Sequence, residues 1–346
     1  MTNRTLDIAV TGCAAISAAG VGAAALREAV DAGTPCLTPV PAELLGEPGH
    51  YWGKADAFRA ADFMPPLKAR KFDRSSLLAT VTAGLALQDA GATPAALGAT
   101  RIGIALGCGF GGIANSVEFL SGYFSAGIDG LVPMLFPNTV ANAPASNASI
   151  EHGLKGPNVT QVQRFCSAET ALQMACRFLA EGRADVMLAG GVDELNAPVM
   201  QGFHAMGQLR RYAHGFGEGC GILVLERRDH AERRGTAIRG TIDEIRTIGF
   251  IPEEHCAAGT DRLLGATAPE LLSLSGTAPE WPPVANIFPA VRRLAVGPLV
   301  GRSLAMGGLA MVSLLLLLAP GQRGLHLAAS PEGPYFGIDF TGGGPV

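Results

Sequence analysis

Charge is scarce in this chain. Asp, Glu, Lys and Arg together make up 16% of 346 residues, against about 25% in an ordinary soluble domain. Aromatic residues are also few, at 6%. With 48% apolar residues the bulk of the chain cannot be disordered, because it has ample surface to bury. No block of basic residues occurs and the formal charge is −4, which argues against a nucleic-acid surface. The seven cysteines are scattered and never form a CxxC pair, so neither a zinc ribbon nor a disulfide framework is expected. The histidines offer no cluster at metal-ligand spacing, and no metal or other cofactor is expected. The opening MTNRTLDIAVTG lacks an apolar segment with a cleavage site, so no secretory signal is expected and a cytoplasmic location follows. The longest uncharged apolar run, Ser303 to Ala319, is broken by Gly307-Gly308 and ends at Pro320-Gly321. A membrane span needs about twenty apolar residues, so this run reads as a helix buried on all sides of a core.

What is abundant is glycine, 46 residues, among short aliphatic runs. Strands are expected at Asp7 to Val10, Arg101 to Leu106, Asn158 to Val162, Asp185 to Ala189, Gly221 to Glu226 and Ile238 to Ile245. Helices are expected at Ala23 to Ala32, Ser75 to Ala90, from Ser167 to about Glu181, and Asp229 to Arg234. Strands alternating with helices indicate a largely parallel sheet covered on both faces. Residues 33–72 read as a surface excursion, and the Pro-rich 252–300 is the least regular stretch. The turn GCGFGG at 107–112 has neither the GxGxxG spacing nor GK[ST]; close backbone packing is its reading, not a dinucleotide site.

Several segments carry a resemblance. FPNTVANAPASNASI (136–150), HGLKGPN (152–158), GRADVMLAGGVDE (182–194), VTGCAAISAAG (10–20) and FGEGCGILVLERRDHAERRG (216–235) together resemble the β-ketoacyl-acyl carrier protein synthases of the thiolase superfamily. The resemblance covers about residues 7–250. It implies an α/β, thiolase-like fold of two similar βαβ-type halves, stacked in five alternating helix and sheet layers, with the second half shortened. It implies halves at 1–237, with dimerisation insertions, and 238–346.

Enzymes of that family hold an acyl chain on a Cys at a sharp strand-to-helix elbow, where the helix N-terminus favours the thiolate. Two His from the second half serve decarboxylation and stabilise developing negative charge. Counting from Gly156-Pro157 forward, or back from Gly182, the nucleophile position falls on Phe165, one residue before Cys166. LSLSGTAPE (272–280) aligns with the first His loop and puts Ser275 at its position. Gly301 to Gly308 aligns with the second and puts Arg302 there, with the usual preceding Lys at Gly297. Arg cannot act as a base at neutral pH, and Ser lacks the imidazole's protonation switch. Of the other histidines, His255 reads as part of a solvated turn with Glu253 and Glu254. His152, His204, His214 and His230 read as scaffold, and His326 has no partner by sequence.

The resemblance is strongest to the catalytically silent chain-length-factor-like subunits. Their role implies an active ketosynthase subunit as heterodimer partner and an acyl carrier protein, with a homodimer also possible, in fatty acid or polyketide elongation. Phe110, Met134 and Phe136 are then expected to line an acyl tunnel. Two alternatives remain: an active decarboxylating condensing enzyme using Cys166, and a carrier-protein-binding scaffold. The mixed charges of Glu226 to Arg234 read as a solvated helix face.

Overall fold

The computed structural model describes residues 7–344 except 213, 253, 254 and 266, and leaves the side chains of 256 and 285 undescribed. The strands of the large sheet are β1 (Ile8–Ser17), β2 (Ile102–Cys108), β3 (Asn158–Gln161), β4 (Val186–Asp193), β5 (Gly219–Arg227), β6 (Gly240–Ile248), β7 (Leu271–Gly276), β8 (Arg292–Ala295), β9 (Arg323–Ala329) and β10 (Tyr335–Gly342). The main helices are α1 (Ala23–Ala32), α2 (Arg74–Ala90), α3 (Ile113–Ala126), α4 (Ala143–His152), α5 (Ser167–Ala180), α6 (Ala197–Ala205), α7 (Cys256–Leu263) and α8 (Gly307–Leu317).

The sheet is eleven-stranded, the eleventh being the short Gly20–Val21 paired with the end of β1. Its order is β8-β7-β9-β10-β6-β1-β5-β4-β2-β3. Reading inward from either edge gives one pattern: two parallel pairings, then two antiparallel ones. The halves meet where β1 pairs antiparallel with β6, Ile8 opposite Ile242. This is a thiolase-like fold of two similar halves in five layers. Helices α2 and α4 cover the outer face of the first half, α7 that of the second, and α5 and α8 lie between. The outer helix of the second half is short, 8 residues in α7 against 17 in α2.

Local chemistry explains where these elements begin. Asp73 caps α2, its carboxylate accepting from the Ser76 N–H at 2.9 Å, a contact worth about 1 kcal/mol. Gly33 and Gly91 end α1 and α2 in the left-handed conformation, which glycine adopts without strain. Helix α8 presents no polar face, and all but its last residue are buried, so the expectation of a central helix at 303–319 is met by a shorter helix. Among the described residues no helix is long and apolar enough to cross a membrane.

Several boundaries differ from the sequence reading. β1 runs on through the small residues after Val10 to Ser17, with an irregularity between Val10 and Gly12. There α2 lies so close that a Cβ on Gly12 would come within 2.8 Å of the Ala90 methyl. The strand expected to end at Ala189 continues through Gly190 and Gly191 to Asp193. A Cβ on Gly190 would overlap the Gly221 carbonyl, and on Gly191 the Ala305 carbonyl. The excursion at 33–72 is not wholly superficial, since Val40, Ala55, Phe58 and Met64 are buried. The described part of 252–300 carries regular elements, α7, β7 and β8. Glu226 is wholly buried, accepting from Thr11 Oγ1 at 2.6 Å and pairing with Arg234 at 2.6 Å. Burial pushes its carboxyl up, but its neighbours hold it below the usual range; Glu226 lies at the end of β5, and the helix that follows, Arg228–Arg233, buries Ala231.

Gly308 faces the backbone of both Gly191 and Gly221, where a Cβ would collide. Gly308→Ala is expected to destabilise the protein by about 3 kcal/mol or more, read as a lowered urea midpoint; an unchanged midpoint would contradict this packing.

Candidate functional site

The elbow between β3 and α5 turns through Gln163, Arg164, Phe165 and Cys166. Arg164 is held at φ 50°, a left-handed conformation that costs a non-glycine residue about 1–3 kcal/mol. Ser167 braces the turn, its hydroxyl donating to the Arg164 carbonyl at 2.7 Å and accepting from the Gln163 N–H at 2.9 Å. The loop before β10 leans on the same place, with Arg164 donating to the Pro331 carbonyl at 3.3 Å. Gly107 lets β2 reach this elbow, since a Cβ there would overlap the Ser167–Ala168 peptide. The glycine-rich turn therefore serves close packing.

The two residues that compete for the nucleophile position point in different directions. Phe165 enters an aromatic and aliphatic cluster with Val199, Phe203, Tyr212 and Phe216, its ring centroid 5.8 Å from that of Tyr212. Cys166 enters the main core beside Ala168, Leu172 and Phe336. Its thiol donates to the Pro334 carbonyl at 3.2 Å, and burial, aided by the nearby Glu169 carboxylate, raises its pKa well above the usual thiol range.

Ser275 and Arg302 converge on the Phe165 side. Both line a cavity of about 230 Å³ together with Gly276, Glu280, Gly297 and His214. A Cβ on Gly276 would stand 3.0 Å from that of Phe165. The Arg302 guanidinium lies 5.8 Å from the Phe165 ring centroid and 4.0 Å from that of Tyr212. It is buried and forms an ion pair with Glu280, while its backbone N–H donates to Gly215 at 3.1 Å and its carbonyl accepts from Gly217 at 2.8 Å. Such a cation can stabilise an anion but cannot take up a proton. His214, read from sequence as scaffold, is exposed at this cavity.

A second apolar cavity, about 170 Å³, is lined by Phe110, Ile113, Val199 and Phe203. Phe110 also borders a narrow gap shared with Arg302 and Asp193. Met134 and Phe136 are 74% and 59% exposed and border none of these spaces in the single chain. They belong to the surface segment after α3, where Phe136 meets Phe119 at 5.8 Å. Asp193 holds the gap's inner wall, accepting from the Gly109 and Ala305 N–H groups, each at 2.7 Å. Burial raises its carboxyl to about 6 and that of Glu194 to about 7.

His326 has partners that its position near the end of the chain concealed. Its Nε2 lies 2.9 Å from Glu169 Oε1 and its Nδ1 3.0 Å from Ser273 Oγ, while Ser275 Oγ donates to Glu169 Oε1 at 2.7 Å. All are buried, so β7, β9 and the first turn of α5 are joined by a polar network directly behind Ser275. The periodicity of β9 could have shown His326 facing inward; its distant partner Glu169 left no such signal. His255 is exposed at the start of α7, and Glu253 and Glu254 lie outside the described residues. His152 packs under Gly84 and bonds the Thr80 carbonyl. The expectation that no histidines cluster is also corrected, because Glu47, His50 and His204 meet at the surface. The two imidazoles hold the Glu47 carboxyl down at about 2 by hydrogen bonding.

The two-half layered fold, with a strand-to-helix elbow beside a cavity, is that of the thiolase-like condensing proteins. Within that class the chain belongs to the β-ketoacyl synthase family: residues 5–231 match the model for the Beta-ketoacyl synthase, N-terminal domain. It is 31% identical over 205 residues to 3-oxoacyl-[acyl-carrier-protein] synthase 2 of Vibrio cholerae, covering 54% of this chain and 50% of the relative. It is 34% identical over 207 residues to that of Rhizobium meliloti, covering 54% and 49%. The chain thus aligns with about half the length of these curated relatives. Among solved structures it resembles the ishigamide ketosynthase/chain length factor with TM-score 0.82 and 25% identity, covering 98% of this chain and 100% of the other. A Beta-ketoacyl synthase from Burkholderia phymatum shares the fold at TM-score 0.81 and 20% identity, covering 99% and 100%.

The buried pair predicts a strong asymmetry. His326→Leu removes one of the two hydrogen-bond partners of Glu169 Oε1, leaving Ser275, and is expected to cost about 1–3 kcal/mol. Adding Glu169→Leu should restore much of that loss. Urea unfolding of both variants checks this, and equal stabilities would refute the pairing.

Proposed function

We propose that the chain is a non-catalytic ketosynthase homologue, chain-length-factor-like, that pairs with an active β-ketoacyl synthase in fatty acid or polyketide elongation. The observation that carries this reading is the elbow. Phe165 stands where a nucleophile would face Ser275 and Arg302, and the neighbouring thiol of Cys166 points into the core with its thiolate disfavoured. A phenyl ring cannot form a thioester, a serine in a carboxylate network is no imidazole, and an ion-paired arginine is no base. What remains is a shaped interior without a nucleophile.

The surface supports a partner subunit. Val117, Leu120, Tyr123, Phe124, Ile128 and Met134 form an exposed apolar tract on and just after α3, larger in character than the scattered apolar residues of a monomer surface. Edge strand β3, Asn-Val-Thr-Gln, carries no charge to deter pairing. In this reading Phe110 bounds the acyl space from this chain. Met134 and Phe136 reach such a space only once a partner covers them. An acyl carrier protein is the second partner, as it is for the ketosynthase in a solved type II polyketide synthase complex sharing this fold. Residues 1–237 and 238–346 are taken as the two ketosynthase-like halves.

The test is intact-mass spectrometry with malonyl- and acyl-loaded carrier protein, alone and beside a co-encoded synthase. The expected result is a 1:1 complex with the acyl adduct on the partner only, unchanged in Cys166→Ala. Phe124→Asp should abolish the complex without lowering the melting temperature of the free chain. An acyl adduct on this chain that disappears in Cys166→Ala would overturn the proposal and make it a condensing enzyme.

A further inference from the structure

Away from the elbow cavity, two segments far apart in sequence bring nitrogen and oxygen donors to one point. Glu47 and His50 lie just after the short helix Ala42–Leu45, and His204 lies in the last turn of α6. The Nε2 atoms of His50 and His204 stand 2.9 Å and 2.8 Å from the same Glu47 oxygen. The two rings are 5.6 Å apart and steeply inclined, at 72°, so both nitrogens converge on the carboxylate. All three donor atoms lie within 4.8 Å of one another.

We propose that Glu47, His50 and His204 bind a late first-row divalent cation, Zn²⁺ foremost. Two imidazoles with one carboxylate suit Zn²⁺ and its neighbours, whereas Mg²⁺ and Ca²⁺ require oxygen ligands. Donors at about 2.0–2.1 Å from a tetrahedral zinc stand roughly 3.3 Å apart, so the two nitrogen–oxygen spacings need to open by only about half an ångström. The exposed Glu47 side chain supplies that freedom. With three protein ligands at a solvent-facing site, the fourth position falls to water, the open form of zinc coordination.

The ion would act as a clasp. It fastens the 42–50 segment to α6, which are otherwise joined by a Gln201 side-chain bond to the Leu44 carbonyl at 3.3 Å. The residue before His204, Phe203, stacks on Phe216 at 3.8 Å and lines the apolar cavity with Val199. Metal binding therefore fixes the helix that forms one wall of that cavity.

The full-length chain, stripped with chelator, is titrated with Zn²⁺ by calorimetry and with Co²⁺ by visible absorption. One equivalent is expected to bind and raise the melting temperature, with cobalt d–d bands and no thiolate charge-transfer band. His50→Ala and His204→Ala, half-exposed positions whose circular dichroism should be unchanged, are each expected to weaken binding by about 100-fold or more, since even outer-sphere partners are worth 10–100-fold. No saturable binding would overturn the assignment. So would affinity retained in the double variant, or a thiolate band, which would give the ion to a cysteine.

Discussion

Everything in this molecule is arranged around a helix with no outside. α8 is buried between the two halves of the sheet, and nothing polar along it can be left to water. Its first turn lies against β4 and β5 at a distance only backbone can occupy, which is why Gly190, Gly191, Gly221 and Gly308 meet there. The N–H of Ala305, just before the helix, is taken by Asp193, whose other oxygen holds the turn after β2. One buried carboxylate thus ties the centre of the fold to the wall of the cavity.

The same closeness governs the elbow. Because α5 starts where β2 passes at Gly107, the turn has room for one side chain toward the cavity and one toward the core. The order Phe165-Cys166 assigns the aromatic ring to the first and the thiol to the second. The Cys166 thiol is thereby turned into the core, and its burial disfavours the thiolate.

How much of this was legible in the residues follows from how local each signal is. α1, α2 and α5 were readable to within a residue or so, because capping and apolar spacing are local. The Phe165 register was readable because the segments flanking the elbow, Gly156-Pro157 and Gly182, are rigidly spaced. The end of β4 was less legible: it runs on past Ala189 through a glycine pair that carries no apolar signal, because the backbone packed against it comes from residues 221 and 305–308. The pairing of His326 with Glu169 and the meeting of Glu47 and His50 with His204 were invisible for the same reason: each joins residues more than a hundred positions apart. Met134 and Phe136 were apolar enough to suggest an interior, yet hydrophobicity alone does not say which of a chain's apolar residues wait for another surface.

The repeated strand order has a consequence for how copies of such a chain can add to one another. A duplicated sheet ends in two equivalent edges, and were both open the sheet could be extended at either end without limit. They are not alike in chemistry: β8 begins with Arg292 and Arg293, whereas β3 is uncharged. Charged side chains on an edge deter a further strand, so β3 is the more open of the two ends, even though Arg292 pairs with Asp31 and Arg293 donates to the Ile287 carbonyl.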